Sequence, residues 1–179
     1  VYAVTLGGEE VWRFRTGGAV TAPPVLARGR VYVGSFDSVF YAIDAKSGLE
    51  VSRFEGAEKW YWGGAVVGEH AIYAASLDGN LYALDLDTLE PVWPTPFVTD
   101  GAIIGSPVIV GSRIAVPARD GGVYLVRLID GAFEDQCDLD GKLKASLTAR
   151  DNVIYLSVDH SIRELIVNDT GNLVGGWQH

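Results

Sequence analysis

A run of three aromatic residues, Trp60-Tyr61-Trp62, is the feature of this sequence best suited to binding chemistry. Adjacent rings can form a shelf for a flat ligand or for a side chain of a partner protein. The alternative interpretation is that the rings pack between structural units and bind nothing. Both interpretations stay open at this point, and each makes the run a candidate site.

Three more candidates are predicted to lie at the same end of the molecule as the aromatic run: Phe36, Arg119 and Lys144. Arg119 occupies the position that carries Phe36 and Leu77 in other units of an internal repeat. Its guanidinium could bind an anionic group through two hydrogen bonds, whereas the simpler interpretation is a solvated surface arginine. Lys144 shares the repeat position of Trp62.

The other reactive side chains are predicted to be structural. Four aspartates recur at intervals of 41, 42 and 39 residues, which favours turn caps over catalysis: Asp37, Asp78, Asp120 and Asp159. The three histidines lack metal-ligand spacing. Cys137 has no partner for a disulfide and is expected to be a small core residue. No motif for a nucleophile elbow, a zinc site or a phosphate loop is present, so neither catalysis nor a bound cofactor or metal is expected.

The elements that would position these residues follow a repeat of about 41 residues. Val31, Ile72, Ile114 and Ile154 mark the same place in four units, at spacings of 41, 42 and 40 residues. Each unit predicts four antiparallel strands, which is typical of a β-propeller blade in an all-β fold. First strands are predicted at 21–25, 62–66, 104–108 and 144–148, and fourth strands at 50–54, 91–93, 133–137 and 173–177.

The phase of the repeat predicts a partial ring of about four and a half blades. It places the end of a preceding blade at 1–17, blades at 18–57, 58–99 and 100–141, and a degenerate terminal blade at 142–179. A half-ring would leave sheet faces exposed, so we expect the chain to be a fragment. Missing blades or a second copy would then complete the ring.

The repeat reads Val-Tyr-Val-Gly-Ser-x-Asp-Gly-x-Leu-Tyr-Ala-x-Asp-x-x-Thr-Gly and then an aromatic pair, and its best matches are residues 32–54 and 76–93. It resembles the pyrroloquinoline-quinone (PQQ)-type propeller repeat over essentially the whole chain. That family includes quinoprotein alcohol dehydrogenases and an outer-membrane assembly lipoprotein. The tryptophan that closes the family's motif and docks blades is present as Trp12 and Trp93, and is replaced by Ser52, Asp135 and Gly175 elsewhere.

Composition limits the partners. The net charge of −9 repels phosphate backbones, so nucleic acid is not expected. The sequence holds no apolar run long enough for a transmembrane helix. The resemblance implies a periplasmic or extracellular location, with a lipid anchor as a further expectation for the preceding sequence.

Three functions are compatible with these observations. The first is a non-catalytic propeller scaffold that binds proteins, in an extracytoplasmic or membrane-associated complex. The second is part of a PQQ-dependent dehydrogenase, for which the resemblance implies PQQ, calcium and an adjacent cysteine pair that this chain cannot supply. The third is the ligand-binding sensor region of a larger protein, with Trp60 and Trp62 as its contact residues.

Overall fold

The computed structural model describes residues 1–143 and 145–178. In this part of the chain every regular element is a β-strand, which confirms the predicted all-β fold. A two-stranded hairpin opens the chain, and four four-stranded antiparallel sheets follow it. Within the same residues, no helix combines the length and the apolar character needed to cross a membrane.

Each sheet is one blade of a β-propeller, with its four strands in chain order from the inside outwards. The opening hairpin is β1 (Tyr2–Val4) and β2 (Glu10–Arg13). Blade 1 is β3 (Val25–Ala27), β4 (Arg30–Gly34), β5 (Phe40–Asp44) and β6 (Glu50–Phe54). Blade 2 is β7 (Val66–Val67), β8 (Ala71–Ala75), β9 (Asn80–Asp85) and β10 (Phe97–Val98). Blade 3 is β11 (Val108–Val110), β12 (Arg113–Pro117), β13 (Gly122–Arg127) and β14 (Phe133–Asp138), and blade 4 is β15 (Thr148–Arg150), β16 (Val153–Val158), β17 (Ser161–Val167) and β18 (Leu173–Gln178).

The predicted positions of five strands were wrong. The first strands begin about four residues later than predicted, at Val25, Val66, Val108 and Thr148, because prolines and close backbone contacts occupy the preceding segments. The fourth strand of blade 2 is Phe97–Val98 instead of 91–93, where the structure keeps a single bridge between Leu84 and Pro91. Three prolines in residues 91–96 interrupt that ladder because proline has no backbone N–H.

The middle strands form the core because they are covered on both sides by neighbouring blades. All five residues of β8 are buried, as the near-continuous apolar pattern predicts. Blades approach closely where side chains are small: a Cβ on Gly34 would lie 2.3 Å from the Cβ of Tyr61 in the next blade. Close to the inner strands, a Cβ on Gly105 would lie 2.2 Å from the Ala145 carbonyl oxygen.

Tryptophans dock two pairs of neighbouring sheets. The Trp12 indole donates a hydrogen bond of 3.0 Å to the Ala45 carbonyl of blade 1, and the Trp93 indole donates one of 3.1 Å to the Leu128 carbonyl of blade 3. Each ring lies on a glycine of the accepting turn, Gly48 or Gly131, whose φ angles are 72° and 73°. A Cβ at either glycine would approach ring atoms to 2.6 or 2.8 Å.

Blade 1 carries Ser52 at the docking position and reaches blade 2 by other means. Tyr32 donates a hydrogen bond of 2.5 Å to the Leu86 carbonyl, and Arg30 donates a second of 2.9 Å. The turn residue equivalent to Gly48 is Leu89, which has φ 60° and is fully buried in the cluster that contains Tyr32. Leu89 therefore fills volume that the Trp12 and Trp93 rings take at their interfaces.

Blade 3 carries Asp135 at the same position. Its carboxylate accepts a hydrogen bond of 2.6 Å from the Leu173 backbone N–H of blade 4. Arg113, which is paired with Glu134, lies against Gly171 of the next turn. An arginine side chain thus covers the glycine that a tryptophan ring covers elsewhere.

We predict that Gly48→Ala lowers the free energy of unfolding by about 1–3 kcal/mol more than Gly29→Ala, because only the first variant overpacks against an aromatic ring. Both glycines have φ 72°, and a Cβ on Gly29 would have nothing within 4 Å. The backbone strain is therefore matched in the two variants. Urea unfolding of both measures the difference, and equal losses would show that the Trp12 contact contributes nothing.

Candidate functional site at the rim

One face of the propeller carries the turns between second and third strands together with the segments that lead into first strands. Repeated backbone hydrogen bonds join these two sets: Phe36 N–H to Ala19 O at 2.8 Å, Leu77 N–H to Trp60 O at 2.9 Å, and Arg119 N–H to Ala102 O at 2.9 Å. We call this face the rim. The structure thus brings Phe36, Trp60, Trp62 and Arg119 to the end of the molecule where the sequence predicts them.

Three rim aromatics form a stack across the interface between blades 1 and 2. The Phe36 ring of blade 1 stacks on Trp60 of blade 2, with centroids 4.9 Å apart and planes at 13°. It also stacks on Trp62, at 5.4 Å and 29°. Trp60 and Trp62 nevertheless remain 49% and 46% exposed. We call these three residues the rim stack, and it both packs between blades and presents indole surface to solvent.

Tyr61 corrects the sequence-based prediction, which grouped it with its two neighbours as a binding residue. Successive side chains of an extended segment point in opposite directions, so Tyr61 turns inwards and is 1% exposed. Its ring lies against Phe40 at 5.4 Å between centroids and against Gly34. Its hydroxyl is buried and has no hydrogen-bond partner among the described residues. Burial raises the pKa of Tyr61 well above its ordinary value.

A cavity of about 430 Å³ adjoins the rim stack and is lined by Trp62, Leu77, Ile104 and Arg119. Arg119 is exposed. The cavity thus combines an indole face, two aliphatic side chains and a cation, which suits a partner group with apolar and anionic parts. Lys144, the remaining candidate from the sequence, lies outside the described residues.

Sequence reasoning missed the contribution of Leu77 and Ile104 to this cavity. Both could have been found, because Leu77 is the repeat equivalent of Phe36 and Arg119, and Ile104 is the equivalent of Trp62. Their aliphatic side chains are ordinary for core positions, so only their place beside a repeat-breaking residue distinguishes them.

The repeated aspartates organise the rim turns. Asp37 accepts hydrogen bonds from the Val39 N–H at 3.0 Å, the Tyr41 hydroxyl at 2.7 Å and the Gly17 N–H at 2.6 Å. Asp78 accepts the equivalent hydrogen bonds from the Asn80 N–H, the Tyr82 hydroxyl and the Glu58 N–H, each at 2.9 Å. Asp120 accepts bonds from Gly122 and Tyr124. These carboxylates are therefore engaged in fixing the turn and the segment that leads into the same blade.

Burial and these hydrogen bonds shift the pKa values of the tyrosines and of Asp37. Burial disfavours the Asp37 carboxylate, but donation from Tyr41 and backbone N–H groups outweighs it and lowers the pKa of Asp37. Burial and the bond to Asp37 raise the pKa of Tyr41 to about 12, and burial together with Asp120 raises the pKa of Tyr124 to about 12. The pKa of Tyr82 is raised as well, chiefly by burial.

Within residues 1–143 and 145–178, no three His, Cys, Asp or Glu side chains are grouped so as to hold a metal ion. Cys137 lies in β14 and is partly buried against the apolar cluster between blades 3 and 4. Burial raises the pKa of its thiol. The rim side chains described above are aromatic rings, aliphatic groups and the Arg119 guanidinium.

A family model described as outer membrane protein assembly factor BamB matches residues 1–51 and 36–134, which together are most of the 179 residues. The chain belongs to this family. It is accordingly a PQQ-type β-propeller repeat protein, as the repeat predicts.

Known relatives of this BamB-family chain include both assembly factors and an enzyme. BamB of Burkholderia pseudomallei strain K96243 is 27% identical over 135 residues, which are 63% of this chain and 33% of that protein. A 1-butanol dehydrogenase (cytochrome c) of Thauera butanivorans is 29% identical over 122 residues, 59% of this chain and 18% of that one. The aligned region of this chain thus spans a third or less of these two curated relatives.

The crystal structure of BamB from Moraxella catarrhalis has the same fold. It matches with a TM-score of 0.80 at 14% identity, over 97% of this chain and 57% of that chain. At this level of identity the likeness describes the propeller and not its ligands. The blades of this BamB-family chain thus match just over half of that crystal chain.

We predict that Tyr61→Phe raises the free energy of unfolding of this BamB-family chain by about 1 kcal/mol, because it removes a buried hydroxyl that has no partner. Tyr32→Phe is the matched control: Tyr32 is also 1% exposed, but its hydroxyl bonds the Leu86 carbonyl. The control should lose about 1 kcal/mol in urea unfolding. A loss in both variants would mean that Tyr61 has a partner in solution.

We also predict a loss of stability in alkaline solution. Tyrosine pKa values near 12 in the folded state, against about 10 when unfolded, mean that the stabilisation is complete below pH ~10 and disappears as the pH rises towards ~12. Urea unfolding between these pH values, with tyrosinate absorbance as a second signal, measures the slope. The double variant Tyr41→Phe/Tyr124→Phe should reduce that slope. Tyr2→Phe, at a 63% exposed site, should leave it unchanged, and equal slopes in all three proteins would contradict the prediction.

Proposed function

We propose that this chain is a non-catalytic scaffold whose rim binds a protein partner. The observation that carries the proposal is the rim stack, in which two tryptophans stay about half exposed although they are stacked on Phe36. Tryptophan, tyrosine and arginine are enriched among the residues that dominate the energetics of protein interfaces. Large aromatic rings bury much surface at little cost in conformational entropy. The stack holds both indoles in place before a partner arrives.

The rim cavity supports the same function. Trp62 is shared by the stack and the cavity, and Arg119 supplies an exposed guanidinium beside it. An apolar side chain of the partner would enter between Leu77 and Ile104, while a carboxylate of the partner would pair with Arg119. The net charge of the chain, −9, would disfavour partners that are strongly acidic over a wide surface.

We infer the setting from the family. The matching model and the Burkholderia relative are both named as outer membrane protein assembly factors, which supports a role in assembling outer-membrane proteins. The corresponding location is the periplasm, in a complex associated with the outer membrane. A scaffold function agrees with the aspartates of the rim, which are already engaged in turn hydrogen bonds.

Site-specific photo-crosslinking in cells that export the protein tests this function. A photoreactive residue in place of Trp62 should form adducts with outer-membrane proteins or their assembly proteins. The same residue in place of Leu49, a 69% exposed position on the opposite face, should not form them. The absence of adducts at position 62, or the same adducts at both positions, would refute the rim as the binding surface.

The alternative function is that of a dehydrogenase, which the similarity to the Thauera enzyme favours. The residues of this chain do not fit the PQQ and calcium site that the family's dehydrogenases imply. The chain has one cysteine, Cys137, and the described residues offer no acidic cluster for calcium. We therefore expect no change of tryptophan fluorescence on titration with PQQ and calcium. Saturable binding in the micromolar range would favour the dehydrogenase.

A further inference from the structure

A second cavity lies on the face opposite the rim. It has a volume of about 860 Å³ and runs between blades 2 and 3, beneath the turns that join first to second strands. Its walls are mainly apolar and include Val66, Tyr73, Val92, Val108, Ile109 and Ile129. Ile129 is 80% exposed, so an apolar side chain at the cavity is open to solvent. We call this cavity the inter-blade groove.

The equivalent space between blades 1 and 2 is bridged by two arginines of blade 1. Arg28 donates a hydrogen bond of 2.8 Å to the Glu69 carbonyl and lies 3.3 Å from the Asp87 carboxylate. Arg30 donates bonds of 2.9 and 2.6 Å to the Leu86 and Asp87 carbonyls. The aliphatic parts of both side chains cross the gap, so that interface is closed by the chain itself.

Blade 2 cannot close its own groove in this way. The repeat aligns Arg28 and Arg30 with Glu69 and Ala71, because β4 and β8 begin at Arg30 and Ala71 respectively. Ala71 is too short to cross, and Glu69 carries the opposite charge. Blade 3 has Arg113 at this position, which reaches Gly171 of blade 4. The inter-blade groove is therefore open where its two neighbours hold an arginine side chain.

We propose that the inter-blade groove binds an arginine side chain of a partner protein, flanked by apolar residues. The blade 1–2 interface shows what chemistry the space accepts: a guanidinium at backbone carbonyls and an aliphatic stem along the walls. The volume exceeds that of one arginine, so residues next to it would pack on Val66, Val108 and Ile109. This site lies on the other face from the rim stack and does not depend on it.

The acceptors for the guanidinium can be named. The carbonyls of Leu86 and Leu128 are equivalent, because the first accepts a hydrogen bond from the Tyr32 hydroxyl and the second accepts one from the Tyr73 hydroxyl. The Leu128 carbonyl also accepts the Trp93 indole, so its two lone pairs are occupied. The Ile129 carbonyl, equivalent to that of Asp87, and the exposed Glu69 carboxylate would receive the guanidinium.

The charges around the groove agree with a cationic occupant. Arg127 lines the groove, but its guanidinium is paired with Asp130 through bonds of 2.9 and 2.6 Å. Glu69 contacts His70 at 3.7 Å, with both side chains more than four-fifths exposed, so its carboxylate is accessible. The net charge of −9 would steer a basic segment towards the molecule. A guanidinium suits two carbonyl or carboxylate acceptors better than an ammonium, because its donors form a planar fork.

The test is binding of the peptide acetyl-Leu-Arg-Leu-amide to the whole chain, followed by NMR of backbone amides. Shifts should concentrate in residues 66–73, 108–112 and 127–131. The same peptide with citrulline, which keeps the shape and removes the charge, should bind at least ~10-fold more weakly, or about 1.4 kcal/mol. Equal binding of the two peptides, or of acetyl-Leu-Leu-Leu-amide, would show an apolar site and overturn the proposal.

Two variants test the location. Ala71→Arg should occupy the groove as Arg30 does at the preceding interface, and should abolish peptide binding. Leu6→Arg, which adds the same charge at a fully exposed position of the opening hairpin, should leave binding within about twofold. If Ala71→Arg fails to fold, Glu69→Lys against the control Glu9→Lys replaces it, with a loss of at least ~10-fold expected only for the first. Wild-type binding by Ala71→Arg or Glu69→Lys would refute the site.

Discussion

In blades 1, 2 and 3, one backbone carbonyl of the turn between the third and fourth strands holds that sheet to the preceding one. The carbonyl of Ala45 accepts the Trp12 indole, that of Leu86 accepts Tyr32 and Arg30, and that of Leu128 accepts Tyr73 and Trp93. A carbonyl shielded from water must be paired, so each of these three carbonyls needs a donor from the preceding sheet. The donor can be an indole, a phenol or a guanidinium. The rim and the opposite face inherit their geometry from this contact because it fixes how adjacent blades meet.

The space next to the turn is filled in a comparable way at each interface. A glycine stands in the turn where a tryptophan ring or an arginine covers it, at Gly48, Gly131 and Gly171. Where the previous blade offers only Ser52, the turn carries Leu89 in a left-handed conformation, and its side chain fills the space from the other side. Packing therefore couples two positions in different blades. Side-chain volume lost at one position is balanced by side-chain volume gained at the other.

The repeat period and its apolar strands were enough to predict the propeller, because each blade is specified locally by alternation, turn glycines and turn aspartates. The positions of first strands were not predictable from one blade, since contacts such as Gly105 against Ala145 between neighbouring blades decide where the ladder begins. The same limit applies to Tyr61, which is aromatic like Trp60 and Trp62 but packs against Gly34 of another blade. Arg30 and Leu89 replace a missing tryptophan through contacts between blades, so their roles follow only when the repeats are aligned in space.

Both candidate surfaces arise where a residue breaks the repeat at an interface between blades. At the rim, Trp60 stands where equivalent positions carry Ala19 and Ala102. The added ring volume emerges into solvent as part of the rim stack. At the inter-blade groove a small residue, Ala71, replaces an arginine, so volume is missing and a cavity remains. A repeat that must satisfy the same contact at every interface leaves few positions free to vary. An excess or a deficit of side-chain volume at such a position is tolerated only if neighbouring contacts already hold the two blades together. Tyr73 and Trp93 provide such contacts beside Ala71. These two hydrogen bonds to the Leu128 carbonyl are the physical reason why blades 2 and 3 can leave a groove open and still pack together along the rest of their interface.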